Sequence, residues 1–254
     1  MTKRIGLKNR IRAVGVELEG GWTEVKGINV IHDGSVIIPL PKAPHKPARL
    51  QDLPAYERLH AKYLKDYPHY IGEVPSPPLV ISEVDDFINN SYPSYTNATC
   101  GLHVHMSFFH KMNYQRLLTP DYTTTMIKGL VAWAEKENLP EKHPIWERLK
   151  DANHAHCAHV FLGDEQVRQT KKDYNSRGKP HSRYTAINYC FGQHGTVECR
   201  LLPMMETAEQ ASRAVHEVIT ITNRFLSKIR EREKKYTATV TRRNTVLEHF
   251  DVVV

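Results

Sequence analysis

The stretch GLHVHMSF, Gly101 to Phe108, alternates apolar and polar residues with a period of two. In an extended strand, side chains two apart share a face. Leu102, Val104, Met106 and Phe108 are therefore predicted to pack inward, while His103, His105 and Ser107 line the opposite face. Two other stretches have the same form. In AVGVELE (13–19) the apolar set is Val14, Val16 and Leu18, so Glu17 and Glu19 point together the other way. In GTVECRLL (195–202), Val197, Cys199 and Leu201 pack and Thr196, Glu198 and Arg200 face outward. Such strands suit a mostly antiparallel sheet with helices over one side, an α+β fold.

Two segments carry the helical period. Ile127, Leu130, Val131 and Ala134 recur at helical spacing after a Thr-rich start. Val215, Val218, Ile219, Thr222, Leu226 and Ile229 form a longer stripe, opened by Thr207 and Gln210 as a capping box. PLPKAPHKPARLQDLP (39–54) holds five prolines and reads as an extended excursion. These signals predict one domain over 1–229 with that excursion inside it, and a basic C-terminal tail over 230–254.

With 40% hydrophobic and 25% charged residues among 254, the composition is that of an ordinary globular chain. No run approaches the roughly 18 apolar residues of a membrane helix. The N-terminal MTKRIGLKNRIRAVG is basic but lacks the apolar core of a secretion signal. Cys100, Cys157, Cys190 and Cys199 are too widely spaced for a CxxC knuckle, and the expectation is reduced thiols in a cytoplasm. Lys and Arg number 35 against 28 acids, a formal charge of +7, with 15 histidines besides. That surplus leaves nucleic acid open as a partner, since charge speaks to association and not to fold.

The polar faces carry the chemistry. Two imidazoles on one strand face make a natural metal or phosphate site. Three carboxylates brought together repel one another unless a cation balances them, and oxygen ligands of that kind suit Mg²⁺ or Mn²⁺. A guanidinium beside them suits phosphate or carboxylate through its planar fork. Carboxylates, imidazoles and a guanidinium on one sheet face read as a site for metal-assisted phosphoryl transfer. No GxxxxGK[ST] loop occurs, so the sheet and metals would hold any ATP.

These motifs also resemble a family. TCGLHVHMSF (99–108) resembles the His-x-His strand of glutamine synthetases, and GVELEG (15–20) the Glu-x-Glu strand that opens their catalytic domain. GTVECRLLP (195–203) resembles their late strand, in which a metal-binding Glu precedes a substrate-binding Arg by two residues. HDGSV (32–36) is similar to their Asp-Gly-Ser loop, although here it follows the Glu-x-Glu strand. GEVPSPPL (72–79) resembles the Glu-x-x-Ser-Pro segment of the glutamate–cysteine ligase branch. Order and length together most resemble the amidoligase family, compact carboxylate–amine ligases of this superfamily.

The resemblance implies a curved sheet forming a concave cradle, helices on its outer face, and divalent cations bridging ATP phosphates. It places Glu17, Glu19, Glu73, His103 and Glu198 at metal-binding positions. His105 and Ser107 fall where the family contacts the nucleotide or its phosphates, and Arg200 where the substrate carboxylate or transferred phosphoryl is held. SRYTAINY (182–189) resembles the family's Arg-rich segment, which makes Arg183 a phosphate-binding candidate and Asn188 a nucleotide-site candidate. Asp33 would sit near the incoming amine, or Asp33-Gly34 is a two-residue hairpin turn.

The implied activity is amide formation between a small-molecule or peptide-like carboxylate and an amine, using ATP and Mg²⁺ or Mn²⁺ through an acyl phosphate. A phosphotransferase on the same cradle, a metal-dependent nuclease, and a basic nucleic-acid-binding or phage-structural protein are the alternatives. HAHCAHV (154–160) offers His154, His156, Cys157 and His159, read as a loop lining the substrate cleft in preference to a Zn²⁺ site. Tyr63, Tyr67 and Tyr70 are expected to be packing residues.

Overall fold

Strand β1 spans Ile11–Trp22 and includes AVGVELE at its centre. The computed structural model describes residues 10–25, 27–38, 42–46, 53–161, 184–190 and 194–250, with side chains to Thr237 in the last helix. The other strands are β2 (Tyr70–Pro75), β3 (Gly101–Phe108), β4 (Ile187–Asn188) and β5 (Val197–Pro203). They form one open sheet in the order β2-β1-β3-β5-β4, each neighbouring pair antiparallel. The helices are α1 (Leu53–Asp66), α2 (Val84–Ser91), α3 (Met112–Leu117), α4 (Pro120–Lys136), α5 (Pro144–Lys150) and α6 (Ala208–Phe250). The fold is thus mixed, with a five-stranded antiparallel sheet.

The apolar alternation decides the register. Val16 lies opposite Val104 and Leu18 opposite Leu102 across β1 and β3. Val104 lies opposite Cys199 and Met106 opposite Val197 across β3 and β5. All of these side chains are fully buried. Each contributes about 1.5–3 kcal/mol of burial free energy. Helix α2 packs on β1, α6 on β3 and α5 on β5, while α4 packs against α6.

Helix α4 begins where the Thr-rich start predicted. Thr119 caps it by accepting from the Asp121 amide at 3.3 Å. At the start of α6, Thr207 accepts from the Gln210 amide at 3.1 Å. The Gln210 side chain accepts in return from Glu206 at 3.1 Å, one residue earlier than a standard capping box places it. Of the predicted stripe, Val215, Val218, Ile219, Thr222 and Leu226 are buried and Ile229 is half-buried. Helix α6 then continues without a break past residue 229 to Phe250, so the basic run is helical as far as that residue. Its 43 residues give a length of about 65 Å. Residues 231–237 are exposed.

Two local readings need correction. The Pro-rich excursion ends earlier than position 54, because Leu53 and Pro54 open α1, whose first turn leaves amides unpaired and so tolerates proline. Within the excursion, residues 42–46 have no regular secondary structure, and 39–41 and 47–52 lie outside the described residues. The tyrosines do not pack on the core. Helix α1 buries none of its residues; instead Tyr56, His60 and Tyr63 on it and Tyr67 just beyond its end form a ladder of rings 5.3–6.0 Å apart. Tyr70 starts β2 and is exposed.

A buried polar pair joins α4 to α6. The Thr222 hydroxyl donates to the Val218 carbonyl at 2.8 Å, so Tyr122 must be the donor in its 2.7 Å contact with Thr222. Tyr122→Phe removes that donor and leaves Thr222 satisfied, a cost of about 1 kcal/mol. Thr222→Val strands the buried Tyr122 hydroxyl and costs more, up to about 3 kcal/mol. Urea unfolding of the two variants checks this order, and equal losses would contradict the assigned donor.

Candidate functional site

The register that buries the valines also aligns the polar residues of five strands. Glu19 lies opposite Glu73 on β2, and Glu17 opposite His103 on β3. His105 lies opposite Glu198 on β5, which in turn lies opposite Asn188 on β4. Residues directly opposite share a sheet face. The β3–β5 register shifts between Leu102 and Val104, so Arg200 and Leu201 together oppose His103. A bulge of this kind re-aims side chains, and here every residue of β5 is buried.

The group is tightly interconnected. His103 Nδ1 is 3.1 Å from Glu17 and 3.7 Å from Glu198, and its Nε2 is 3.7 Å from Glu19. His105 Nε2 is 3.0 Å from Glu17 Oε1, and its Nδ1 meets Thr196 Oγ1 at 3.2 Å. Glu19 accepts from the Gly101 amide at 2.5 Å. A Cβ on Gly101 would lie 2.5 Å from His103 Nε2 and 3.0 Å from the Glu19 carboxylate, so the approach requires glycine. Glu198 receives Arg200 NH1 at 2.5 Å on one oxygen and Asn188 Nδ2 at 2.8 Å on the other. Tyr184 stacks on the Arg200 guanidinium at 5.7 Å, and the His156 carbonyl accepts from its Nε at 3.4 Å.

Charge is unevenly balanced across this face. Burial favours a neutral Glu198, but Arg200, His105 and His103 outweigh it and hold the carboxyl down at about 2. Burial likewise opposes ionisation of Glu17, yet the hydrogen bond from His103 and the charge of the adjacent His105 keep it well below the carboxylate range. His105 resists a charge through burial, and the Glu198 and Glu17 carboxylates raise it to about 9. Burial lowers Arg200 while Glu198, Glu19 and Glu17 raise it, for a net upward shift. At the β2 edge the balance fails. Burial and the charges of Glu17 and Asp33 push Glu73 up to about 6.

Asp33 reaches this edge through a backbone bridge. Ile31 and Glu73 exchange two 2.8 Å backbone hydrogen bonds. A Cβ on Gly72 would meet the Ile31 carbonyl oxygen at 2.0 Å, so glycine admits the loop against β2. The hairpin reading of Asp33-Gly34 is therefore corrected. Ile31 pairs with β2, and Gly34 has no positive φ of the kind such turns need. Asp33 instead forms a side-chain turn, accepting from the Ser35 amide and hydroxyl at 2.8 Å each.

Among the described residues, three sets of candidate ligand atoms lie within 4.8 Å of one another: Glu17, His103 and Glu198; Glu19, Asp33 and Glu73; and His105, Cys190 and Glu198. The second set is all oxygen and carries the unbalanced charge, which suits a hard cation such as Mg²⁺. Eight sequence-predicted residues, Asp33, Glu17, Glu19, Glu73, His103, His105, Asn188 and Glu198, join this assembly, with Arg200 bonded to Glu198. Ser107 does not join it, since its hydroxyl donates to the Ala13 carbonyl at 3.3 Å. Arg183 lies outside the described residues.

Three contributors escaped the sequence reading. Cys190 is two residues beyond Asn188 and donates to Glu198 at 3.6 Å. The strand parity that placed Glu198 beside Arg200 could have suggested it. Tyr184 meets Arg200 across a loop, which no local pattern reveals, while the His156 carbonyl that also meets Arg200 belongs to HAHCAHV, the segment expected to line the substrate cleft. Arg148 on α5 is buried and binds carbonyls of Leu202 at 3.0 Å and Cys100 at 3.1 Å, tying the start of β3 to the end of β5. In HAHCAHV, His154 accepts from the His156 amide at 3.2 Å and His159 meets the Arg148 carbonyl at 2.8 Å. None of its residues enters a set of three ligand atoms among the described residues.

Comparison with protein-family models, curated proteins and solved structures finds no match to this chain.

The Glu198–Arg200 pair gives a pH prediction. Glu198 titrates at about 2 in the folded chain against 4.5 ordinarily, so its contribution is present above 4.5 and is lost as pH falls toward 2. Glu198→Gln removes the carboxylate bonded to the buried guanidinium and leaves only Glu19 and Glu17 to counter it, at about 3–5 kcal/mol near neutrality. The stability gap between wild type and Glu198→Gln should narrow steadily over that acid range in urea unfolding with chelator present. A gap independent of pH would contradict the pairing.

Proposed function

We propose that this chain is an ATP-dependent ligase that joins a carboxylate to an amine. The observation that carries the reading is the convergence of Glu17, Glu19, Glu73, His103, Glu198 and Arg200 on one sheet face, the residues matching the family's metal and substrate positions. In this reading the polar face is a concave cradle of the glutamine synthetase type, with helices behind it. The donor set fits its cations: carboxylates and imidazole lie within ligand reach, and the charge of Glu73 is only partly offset, by His103. Bound Mg²⁺ or Mn²⁺ would neutralise phosphate charge.

The chain's own residues would then do the positioning. Arg200, fixed by Glu198, Tyr184 and the His156 carbonyl, presents an oriented cation to the substrate carboxylate. A carboxylate oxygen attacks the γ-phosphorus of ATP and ADP leaves, giving an acyl phosphate. The amine nitrogen then attacks the acyl carbon, inorganic phosphate departs with the C–O electron pair, and the amine proton passes to a base. Asp33 stands at the edge of the acidic group as the candidate for that base or for binding the amine. His105 borders the same group and would contact the phosphates.

Incubation with ATP, Mg²⁺ and pools of carboxylates and amines tests the reading. Amine-dependent release of ADP and phosphate with amide product is the expected outcome. A stable phosphorylated acceptor would make the chain a phosphotransferase, and DNA cleavage without ATP would make it a nuclease. Glu198→Ala should abolish turnover, and full activity in that variant would sink the assignment. Arg200→Lys retains charge but loses the planar fork, and should raise KM for the carboxylate about tenfold with a smaller effect on kcat.

A further inference from the structure

The third set of ligand atoms differs in chemistry from the other two. His105 contributes nitrogen, Glu198 oxygen and Cys190 sulfur, all within 4.8 Å of one another. Cys190 Sγ lies 3.6 Å from Glu198 Oε2, and His105 Nε2 lies 3.9 Å from Glu198 Oε1. A tetrahedral ion with bonds of about 2.0–2.3 Å needs donors about 3.3–3.8 Å apart, so small movements would close this set around one ion.

Two independent features mark the set as built to receive a ligand. Asn188 is 95% buried, yet its Oδ1 has no hydrogen-bond partner. Its orientation is not free, because Nδ2 donates at 2.8 Å to the Glu198 carboxylate, which only accepts. A buried amide oxygen left without a donor is costly unless something electropositive meets it. The other feature is the His105 ring. Nδ1 meets Thr196 Oγ1 at 3.2 Å, the outer-shell arrangement that fixes a metal-binding imidazole. Nε2 is buried and, although 3.0 Å from Glu17, makes no properly directed hydrogen bond.

We propose that Cys190 Sγ, His105 Nε2, the Glu198 carboxylate and Asn188 Oδ1 form a distinct borderline-soft cation position that takes Zn²⁺. It shares Glu198 with the neighbouring Glu17–His103 set and stands apart from the all-oxygen Glu19–Asp33–Glu73 set. Mixed N, S and O donors select zinc-class ions over Mg²⁺, whereas the all-oxygen set has the opposite preference. The Cys190 thiolate with the Glu198 and Glu17 carboxylates would balance the dication and Arg200, with the thiol proton and the His105 Nε2 proton released to solvent on binding. The inference deepens the ligase reading by giving its polar face two chemically different cation positions, and it rests on that face being a cation site.

The full chain is first loaded with Zn²⁺ alone, and X-ray absorption at the zinc edge reads the donors. One sulfur with nitrogen and oxygen is the expected shell; a shell without sulfur, or no bound zinc, overturns the proposal. Co²⁺ loading should show thiolate-to-metal charge transfer in the near ultraviolet. Cys190→Ser should lose that absorption and Cys199→Ser, on the opposite sheet face, should keep it. Retention in Cys190→Ser overturns the assignment, and the wild-type zinc edge stands in should that variant not fold. Thr196→Val should keep the absorption but weaken Co²⁺ affinity about 10–100-fold. Neither measurement contains ATP, so sulfur-ligated zinc without amide synthesis refutes the ligase reading alone. Amide synthesis with sulfur-free zinc refutes this inference alone.

Discussion

The position of β3 between β1 and β5 is the constraint on which the rest depends. Val104 sits between Val16 and Cys199, all fully buried, and that apolar row holds the three strands in one register. A slip of one residue would turn His103 and His105 into the core and Val104 to the polar side. The same pairing that buries the valines therefore sets Glu17 against His103 and His105 against Glu198. The core specifies the site, and the site need not stabilise the core.

Within the site, Glu198 is the residue on which the charges converge. One of its oxygens takes the Arg200 guanidinium and the other takes Asn188 and Cys190, while both imidazoles stand within 4 Å. Buried ion pairs of this sort add little net stability, because desolvation offsets attraction, but they fix geometry. The bulge at Arg200 and Leu201 matters for that reason. It interrupts the alternation of β5 and brings Arg200 against Tyr184 and the His156 carbonyl. The acidic edge at Glu73 is compensated only in part, by His103, and the contrast between the two halves of the face separates their chemistry.

Much of this was legible locally. The alternation in residues 13–19, 101–108 and 195–202 assigned nearly every side chain on β1, β3 and β5 to its observed face. The alternation failed at Leu202, where the bulge buries two successive leucines, since a bulge depends on the partner strand. Asp33 was ambiguous for a similar reason. A short Asp-Gly sequence is compatible with a hairpin, and only the distant pairing of Ile31 with Glu73 excludes one. Tyr63 and Tyr67 pack against each other and not on the core, because aromatic residues at helical spacing meet one another as readily as they meet a core.

The sequence by itself determined the period of β1, β3 and β5, the face that Glu17, Glu19, His103, His105, Glu198 and Arg200 occupy, and the start of the long α6 helix. These depend on residues two to four apart, whose geometry the backbone dictates. Only the tertiary structure decided which strands lie side by side, and hence that Glu19 meets Glu73, that Asp33 joins them, and that Cys190 stands beside Glu198 and His105. Those contacts join residues up to about ninety positions apart. They arise because burying one apolar face forces every polar residue of those strands onto the other.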